Sequence, residues 1–136
     1  MINLAAAQRM VAAAENKAEQ LGVEVAVAVY DAAGHPVAAV RMDGLGPNEM
    51  VYAAAKALSA APEGDMRLTL YGGGAPTRAQ TMMMLERVIT DAMGPPPNPG
   101  GTFQIILGGK PDGAIGVSGA SAEQNDEIAQ AALAAM

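Results

Sequence analysis

Arg41 and Asp43 form a charged pair at the end of a segment with the composition of a β-strand. Residues two apart on an extended strand point to the same face, so the two side chains lie close together. A guanidinium beside a carboxylate can flank an anionic ligand, with the arginine orienting it and the aspartate moving a proton. The same pair could instead brace the chain where it leaves the strand, and the sequence leaves both interpretations open.

His35 is the one histidine of the chain, and it lies in the turn formed by residues 34–36. Imidazole can ligate iron axially or exchange a proton near neutral pH, so His35 is a candidate for a metal ligand or for an acid–base catalyst. The structural alternative is an exposed residue at the tip of a hairpin. A single histidine excludes any site that needs two from one chain.

Lys56 stands in a run of alanines, with Tyr52 one helical turn before it. A cation among small apolar side chains could hold a carboxylate, or could stabilise negative charge that develops in a transition state. In the structural alternative, the Lys56 side chain extends along the helix and keeps its ammonium group in water.

Ser118 and Gly119 end the segment GAIGVSG, at residues 113–119, just before a predicted helix. Glycine permits close backbone approach, and free amides before a helix attract anions, so these residues join Tyr52 and Lys56 as candidate cofactor-binding residues. Tight packing between strand and helix is the alternative. The segment matches neither a dinucleotide fingerprint nor a phosphate-binding loop.

Hydrophobic spacing and turn residues predict an α+β protein with a mainly antiparallel sheet, because hairpin connections occur near both ends of the chain. Asn3, Asn48 and Ser121 are predicted helix caps, and Gly22 is a predicted helix end. Residues 94–101 are predicted to form a stiff loop or lid. The predicted helices begin near residues 3, 48, 77 and 121, and the predicted strands cover 23–30, 35–42, 66–71, 102–107 and 114–118.

Composition excludes several classes of function. Eight basic against fourteen acidic residues give a net charge of −6, which argues against nucleic acid as a partner. The chain has no cysteine, and no stretch of about 18 uninterrupted apolar residues, so thiol chemistry and a membrane span are not expected. Many side chains are alanine or glycine, and such a thin core gains from burial in an oligomer. We therefore expect a cytoplasmic homo-oligomer.

Three segments together resemble the heme-binding GlcG/HbpS family. They are LGVEVAVAVYDAAGHPVAAVRMDG at residues 21–44, KALSA at 56–60, and GAIGVSG at 113–119, which is followed by AEQNDE. The order and rough spacing of all three agree with the family, whereas residues 62–112 diverge from its pattern. The resemblance implies one domain over residues 1–136, with a profilin-like fold of about five strands. It also implies a homo-oligomer and heme as the cofactor, with Tyr52 or His35 as the candidate axial ligand.

Two functions follow. The first is a small-molecule-binding homo-oligomer that resembles the heme-binding GlcG/HbpS proteins. The second is an enzyme without a cofactor, an isomerase, lyase or cyclase that acts on a small carboxylated metabolite. In the second, Arg41 orients the anion, Asp43 or His35 moves the proton, and Lys56 stabilises the negative charge.

Overall fold

The computed structural model describes residues 2–62 and 100–136, and in these ranges a four-stranded sheet packs between helices. This arrangement confirms the predicted α+β class. The elements in chain order are α1 (Leu4–Leu21), β1 (Ala26–Asp31), β2 (Pro36–Arg41), α2 (Asn48–Ala60), β3 (Thr102–Leu107), β4 (Lys110–Ser118) and α3 (Ala122–Ala134).

The strands follow the spatial order β2-β1-β4-β3, and every neighbouring pair is antiparallel. Strand β1 pairs with β4 from Ala26 opposite Ser118 to Asp31 opposite Gly113. The β1–β2 turn and the β3–β4 turn therefore project from the same end of the sheet. We call this end, formed by residues 31–36 and 106–110, the hairpin end.

The two faces of the sheet carry different side chains. Val25, Val27 and Val29 are fully buried and belong to one core cluster with residues of α1 and α3. The alternating residues Ala26 and Ala28 form a second cluster with alanines of α2. Because successive strand residues point to opposite faces, valine supplies bulk to one layer and alanine permits close approach in the other.

The predicted caps of α1 and of the last helix, α3, are confirmed. The Asn3 side chain accepts a hydrogen bond from the Ala6 amide at 2.8 Å, and Gly22 ends α1 in the left-handed region at φ 69°. Ser121 and Gln124 form a reciprocal capping box at the start of α3. The prediction for α2 is wrong by one residue, because Pro47 has helical dihedral angles and is itself the cap, with no side-chain bond.

The β3–β4 connection is shorter than predicted. Strand β4 begins at Lys110, so only Gly108 and Gly109 form the turn. Both have positive φ, at 58° and 78°, which is the geometry that matches the twist of a two-residue hairpin. The segment between these two predicted strands, 108–113, is therefore strand from Lys110 onward. Lys110 and Pro111 pair with β3 alone, whereas Gly113 also pairs with β1.

Several predictions fall on residues outside the described ranges. These are the strand at 66–71, the helix that starts near residue 77 and most of the loop at 94–101. A fifth strand, a profilin-like fold and a single domain over residues 1–136 remain predictions. Among the described helices, none is long and apolar enough to cross a membrane.

Candidate functional site

His35 lies at the hairpin end, and 77% of its side chain is exposed. Backbone hydrogen bonds hold the turn that presents it: the Asp31 amide donates to the His35 carbonyl at 2.9 Å, and the Gly34 amide donates to the Asp31 carbonyl at 3.1 Å. Gly34 adopts φ 87°, a conformation that glycine takes without strain. The imidazole is thus an accessible side chain on a well-braced turn.

The Asp31 carboxylate stands behind this imidazole. Its Oδ1 accepts a hydrogen bond from the His35 amide at 2.9 Å, and its Oδ2 lies 3.7 Å from His35 Nδ1. The Asp31 side chain is only 16% exposed, whereas the ring in front of it faces solvent. The carboxylate therefore lies on the Nδ1 side of the ring, and the imidazole itself is accessible to a ligand.

The β3–β4 hairpin contributes exposed apolar side chains and a cation to the hairpin end of the sheet. Ile106 and Leu107 are exposed although both are large and hydrophobic. Lys110 is exposed and follows directly after the turn. Since Asp31 pairs with Gly113, Lys110 lies three strand residues, or about 10 Å, beyond that pair.

Arg41 and Asp43 lie toward the opposite end of β2. Arg41 lies six residues along the strand from His35, a length of about 20 Å. The Arg41 guanidinium donates to the Leu45 carbonyl, so it braces the chain as it leaves the strand. The two residues also line an open cleft of 320 Å³ in which carboxylates predominate, an unfavourable setting for an anion. The cleft is lined by Glu15, Glu19, Glu24, Val40, Arg41, Met42 and Asp43.

The Lys56 ammonium group is bound by two backbone carbonyl groups. Nζ donates to the carbonyl oxygens of Gly100 and Val117, each at 2.8 Å. Burial lowers the pKa of Lys56 to about 8, and the nearby carboxylates of Glu49 and Asp126 oppose that shift only in part. Lys56 therefore fastens α2 to the end of β4 and to the chain that enters β3.

Two further hydrogen bonds complete this polar junction, which comprises Glu49, Lys56, Ser118 and Asp126. The fully buried Ser118 hydroxyl donates to Glu49 Oε2 at 2.7 Å. Asp126 Oδ1 accepts from the Gly101 amide at 2.7 Å. These contacts join α2, β4 and α3, which agrees with the structural alternative for Ser118.

Gly119 and Tyr52 also occupy packed positions. A Cβ added to Gly119 would lie 2.8 Å from the Glu24 carbonyl oxygen, and Tyr52 is only 7% exposed. At Gly116 an added Cβ would overlap the Ala53 carbonyl oxygen, so α2 rests directly on β4. The layer between helix and sheet is closed at this point.

The predicted site residues thus do not converge on one point. His35 lies at the hairpin end, whereas Arg41, Asp43 and Gly119 lie toward the opposite end of the sheet, near Glu24 and Leu45. Tyr52 and Lys56 belong to α2, and Ser118 bonds to it through Glu49. Asp31 and Glu49 take part in these contacts but were not among the predicted site residues. An aspartate that begins a turn ahead of a glycine is a known signal for side-chain capping, and it could have identified Asp31. The described residues contain no group of three or more acidic, histidine or cysteine side chains suited to a metal ion.

Known proteins resemble this chain over nearly its whole length. A family model described as haem-degrading protein HbpS-like matches residues 2–134. A Citrobacter freundii protein, described as an uncharacterized 15.0 kDa protein in the dhaT-dhaS intergenic region, is 32% identical over 135 residues, which cover 97% of this chain and 89% of that protein.

Three solved structures share the fold. The Klebsiella pneumoniae protein ORFY has a TM-score of 0.72 and 30% identity, covering 98% of this chain and 89% of its own. PduOC in complex with heme has a TM-score of 0.70 and 27% identity, covering 100% of this chain and 95% of its own. A double mutant of Streptomyces reticuli HbpS has a TM-score of 0.67 and 27% identity, covering 98% and 86%.

Proposed function

Because the chain belongs to the family of haem-degrading HbpS-like proteins, we propose that it binds heme or a related tetrapyrrole at the hairpin end, with His35 as axial ligand. The observation that carries the proposal is the exposed imidazole of His35 with the Asp31 carboxylate behind it. Histidines that bind metals usually have such a partner on the second ring nitrogen. The similar protein PduOC, solved in complex with heme, supports the choice of ligand.

Side chains at the far edge of the hairpin end extend the surface that a macrocycle could cover. Strand β3, which carries Ile106 and Leu107, is separated from β2 by β1 and β4, a distance of about 14 Å. Ile106 and Leu107 offer apolar surface to a flat macrocycle, and Lys110 offers a cation to its carboxylates. When bound, heme supplies the redox and ligand-binding chemistry of its iron. The protein's contribution is to provide the nitrogen ligand and to fix its orientation.

The other predicted cofactor-binding residues fit less well. Tyr52 is covered by its surroundings, and the Lys56 ammonium is held by two carbonyl groups. Ser118 is fully buried and donates to Glu49. We propose that these residues hold α2 on the sheet and leave ligand binding to the hairpin end.

A homo-oligomer remains part of the proposal. Leu4, Ile106 and Leu107 are large hydrophobic residues that are exposed in a single chain. Ile2, close to Leu4 in sequence, lies near Gly113 at the hairpin end. A second copy that covers this surface would bury it and would enclose a bound macrocycle.

The alternative, an isomerase, lyase or cyclase without a cofactor, requires Arg41, Asp43, His35 and Lys56 around one substrate. The separation of about 20 Å between His35 and Arg41, taken along β2, is too large for proton transfer on a small metabolite that Arg41 also holds. The geometry therefore favours heme binding.

Titration with hemin tests the proposal in the wild type, His35→Ala and Tyr52→Phe. We expect the wild type to give a saturable shift of the Soret band, and His35→Ala to lose it because the axial nitrogen is gone. Tyr52→Phe should titrate like the wild type, since its hydroxyl does not reach the ligand. A wild-type titration from His35→Ala, or a loss confined to Tyr52→Phe, would contradict the assignment.

A further inference from the structure

The Asp31 carboxylate does two separate things with its two oxygen atoms. Oδ1 accepts a hydrogen bond from the His35 backbone amide at 2.9 Å and so caps the turn. Oδ2 lies 3.7 Å from His35 Nδ1, about 0.7 Å beyond an ordinary hydrogen bond. A small rotation of either side chain would bring these two atoms together. The backbone role and the role toward the ring are therefore carried by different atoms.

Resting on the function proposed above, we propose that Asp31 is the positioning residue of the heme site. Its Oδ2 holds the proton of His35 on Nδ1, so that the lone pair of Nε2 faces the ligand. A neutral imidazole carries one N–H and one acceptor nitrogen, and the partner of one nitrogen decides the state of the other. The carboxylate also makes the imidazole a stronger electron donor, which stabilises the oxidised metal.

The position of Asp31 suits its carboxylate to orient the ring of His35. Its side chain is mostly buried, and backbone hydrogen bonds at 2.9 and 3.1 Å hold the turn independently of the carboxylate. Tyr30, its neighbour on β1, is half-buried, and burial raises the pKa of its phenol, so it is neutral near neutral pH. Within the described ranges, Asp31 is thus the carboxylate that lies within 4 Å of a ring nitrogen of His35.

The variant Asp31→Asn separates the two roles. Asparagine keeps an oxygen that can cap the His35 amide, but it removes the charge and can turn an N–H toward Nδ1. An N–H donor there favours the tautomer with the proton on Nε2, which must be lost before a metal can bind. We expect hemin affinity to fall about 10- to 100-fold, as is usual for the loss of such a partner. We also expect the midpoint potential of the bound heme to rise.

The matched control is Asp43→Asn, which removes the same charge at the opposite end of β2. It should leave both the hemin affinity and the midpoint potential at the wild-type values. The potential separates positioning from a merely structural role, because loosening the turn would lower occupancy without moving the potential of the heme that binds. Wild-type affinity and potential in Asp31→Asn would overturn the inference.

A second measurement tests the role of Asp31 in the wild type without heme, so it needs no variant to fold. Histidine labelled with ¹⁵N reports His35 alone, because the chain has one histidine. In the ligand-free wild type at a pH where the ring is neutral, we expect the proton on Nδ1. A proton on Nε2 overturns the role of Asp31 even if His35→Ala has lost hemin binding. Failure of the proposed function is recognised separately, by an unchanged hemin titration of His35→Ala.

Discussion

Gly116→Ala is expected to destabilise the protein by about 3 kcal/mol, which corresponds to a fall of roughly 10 °C in the thermal midpoint. The added Cβ would overlap the Ala53 carbonyl oxygen and lie 2.7 Å from the Ala57 amide nitrogen. Both atoms belong to the backbone of α2, so no flexible side chain can yield. The helix must move away from the sheet as a body and give up its packing on Ala26 and Ala28.

The control for this variant is Gly46→Ala, measured by thermal and denaturant unfolding in parallel. An added Cβ at Gly46 meets no heavy atom within 4 Å. Its free energy of unfolding should stay within about 0.5 kcal/mol of the wild type. An unchanged midpoint in Gly116→Ala would mean that α2 does not lie on β4, and would reopen the face of Tyr52 to a ligand.

Lys56→Met is the second substitution with a large expected effect. Methionine has a similar length but no donor, so the carbonyl groups of Gly100 and Val117 lose their bond from Nζ. Each buried acceptor without a partner costs about 1–3 kcal/mol, and relief from burying a charge offsets part of the sum. We expect a net loss of about 2 kcal/mol near pH 7 in denaturant titrations.

The stability conferred by Lys56 should also depend on pH. Its pKa is lowered to about 8 from 10.5, so between these values the unfolded chain binds more protons than the folded one. Stability then rises with pH across this window and is level on either side of it. The gap between wild type and Lys56→Met should therefore widen from about pH 7 to about pH 10.

Lys17→Met is the matched control for this pH effect. Lys17 pairs with Glu127 at 3.9 Å on the surface, an interaction that contributes at most about 1 kcal/mol. Subtraction of each variant from the wild type cancels the titration of the groups that do not interact with the substituted lysine. A gap for Lys56→Met that stays constant or narrows toward high pH would contradict the buried position of this ammonium group.

The parts of the fold that the sequence predicted well are local. The cap at Asn3 and the end of α1 at Gly22 depend on residues within one helical turn. The valines of β1 alternate over a single strand and point to one core. The length of β4 was missed because it depends on pairing with β3, and the two-residue turn follows from the positive φ of Gly108 and Gly109.

The candidate site shows the same division between local and distant contacts. Asp31 and His35 are four residues apart, so their contact could be read from the turn sequence. The partners of Lys56 are 44 and 61 residues away along the chain, at Gly100 and Val117. Periodicity places Lys56 on a helix face but does not identify the carbonyl groups that meet it. A lysine in an alanine run therefore resembled a ligand-binding cation.

The most direct test of the heme site uses the single histidine of the chain. Protein labelled with ¹⁵N-histidine is followed by NMR while hemin is added, and the Soret band reports binding in the same sample. We predict that the Nε2 resonance of His35 leaves its diamagnetic position in step with the Soret shift, because the nitrogen ligates a paramagnetic iron. Saturation of the Soret band with both ring-nitrogen resonances unchanged would show that heme binds elsewhere and would contradict the account.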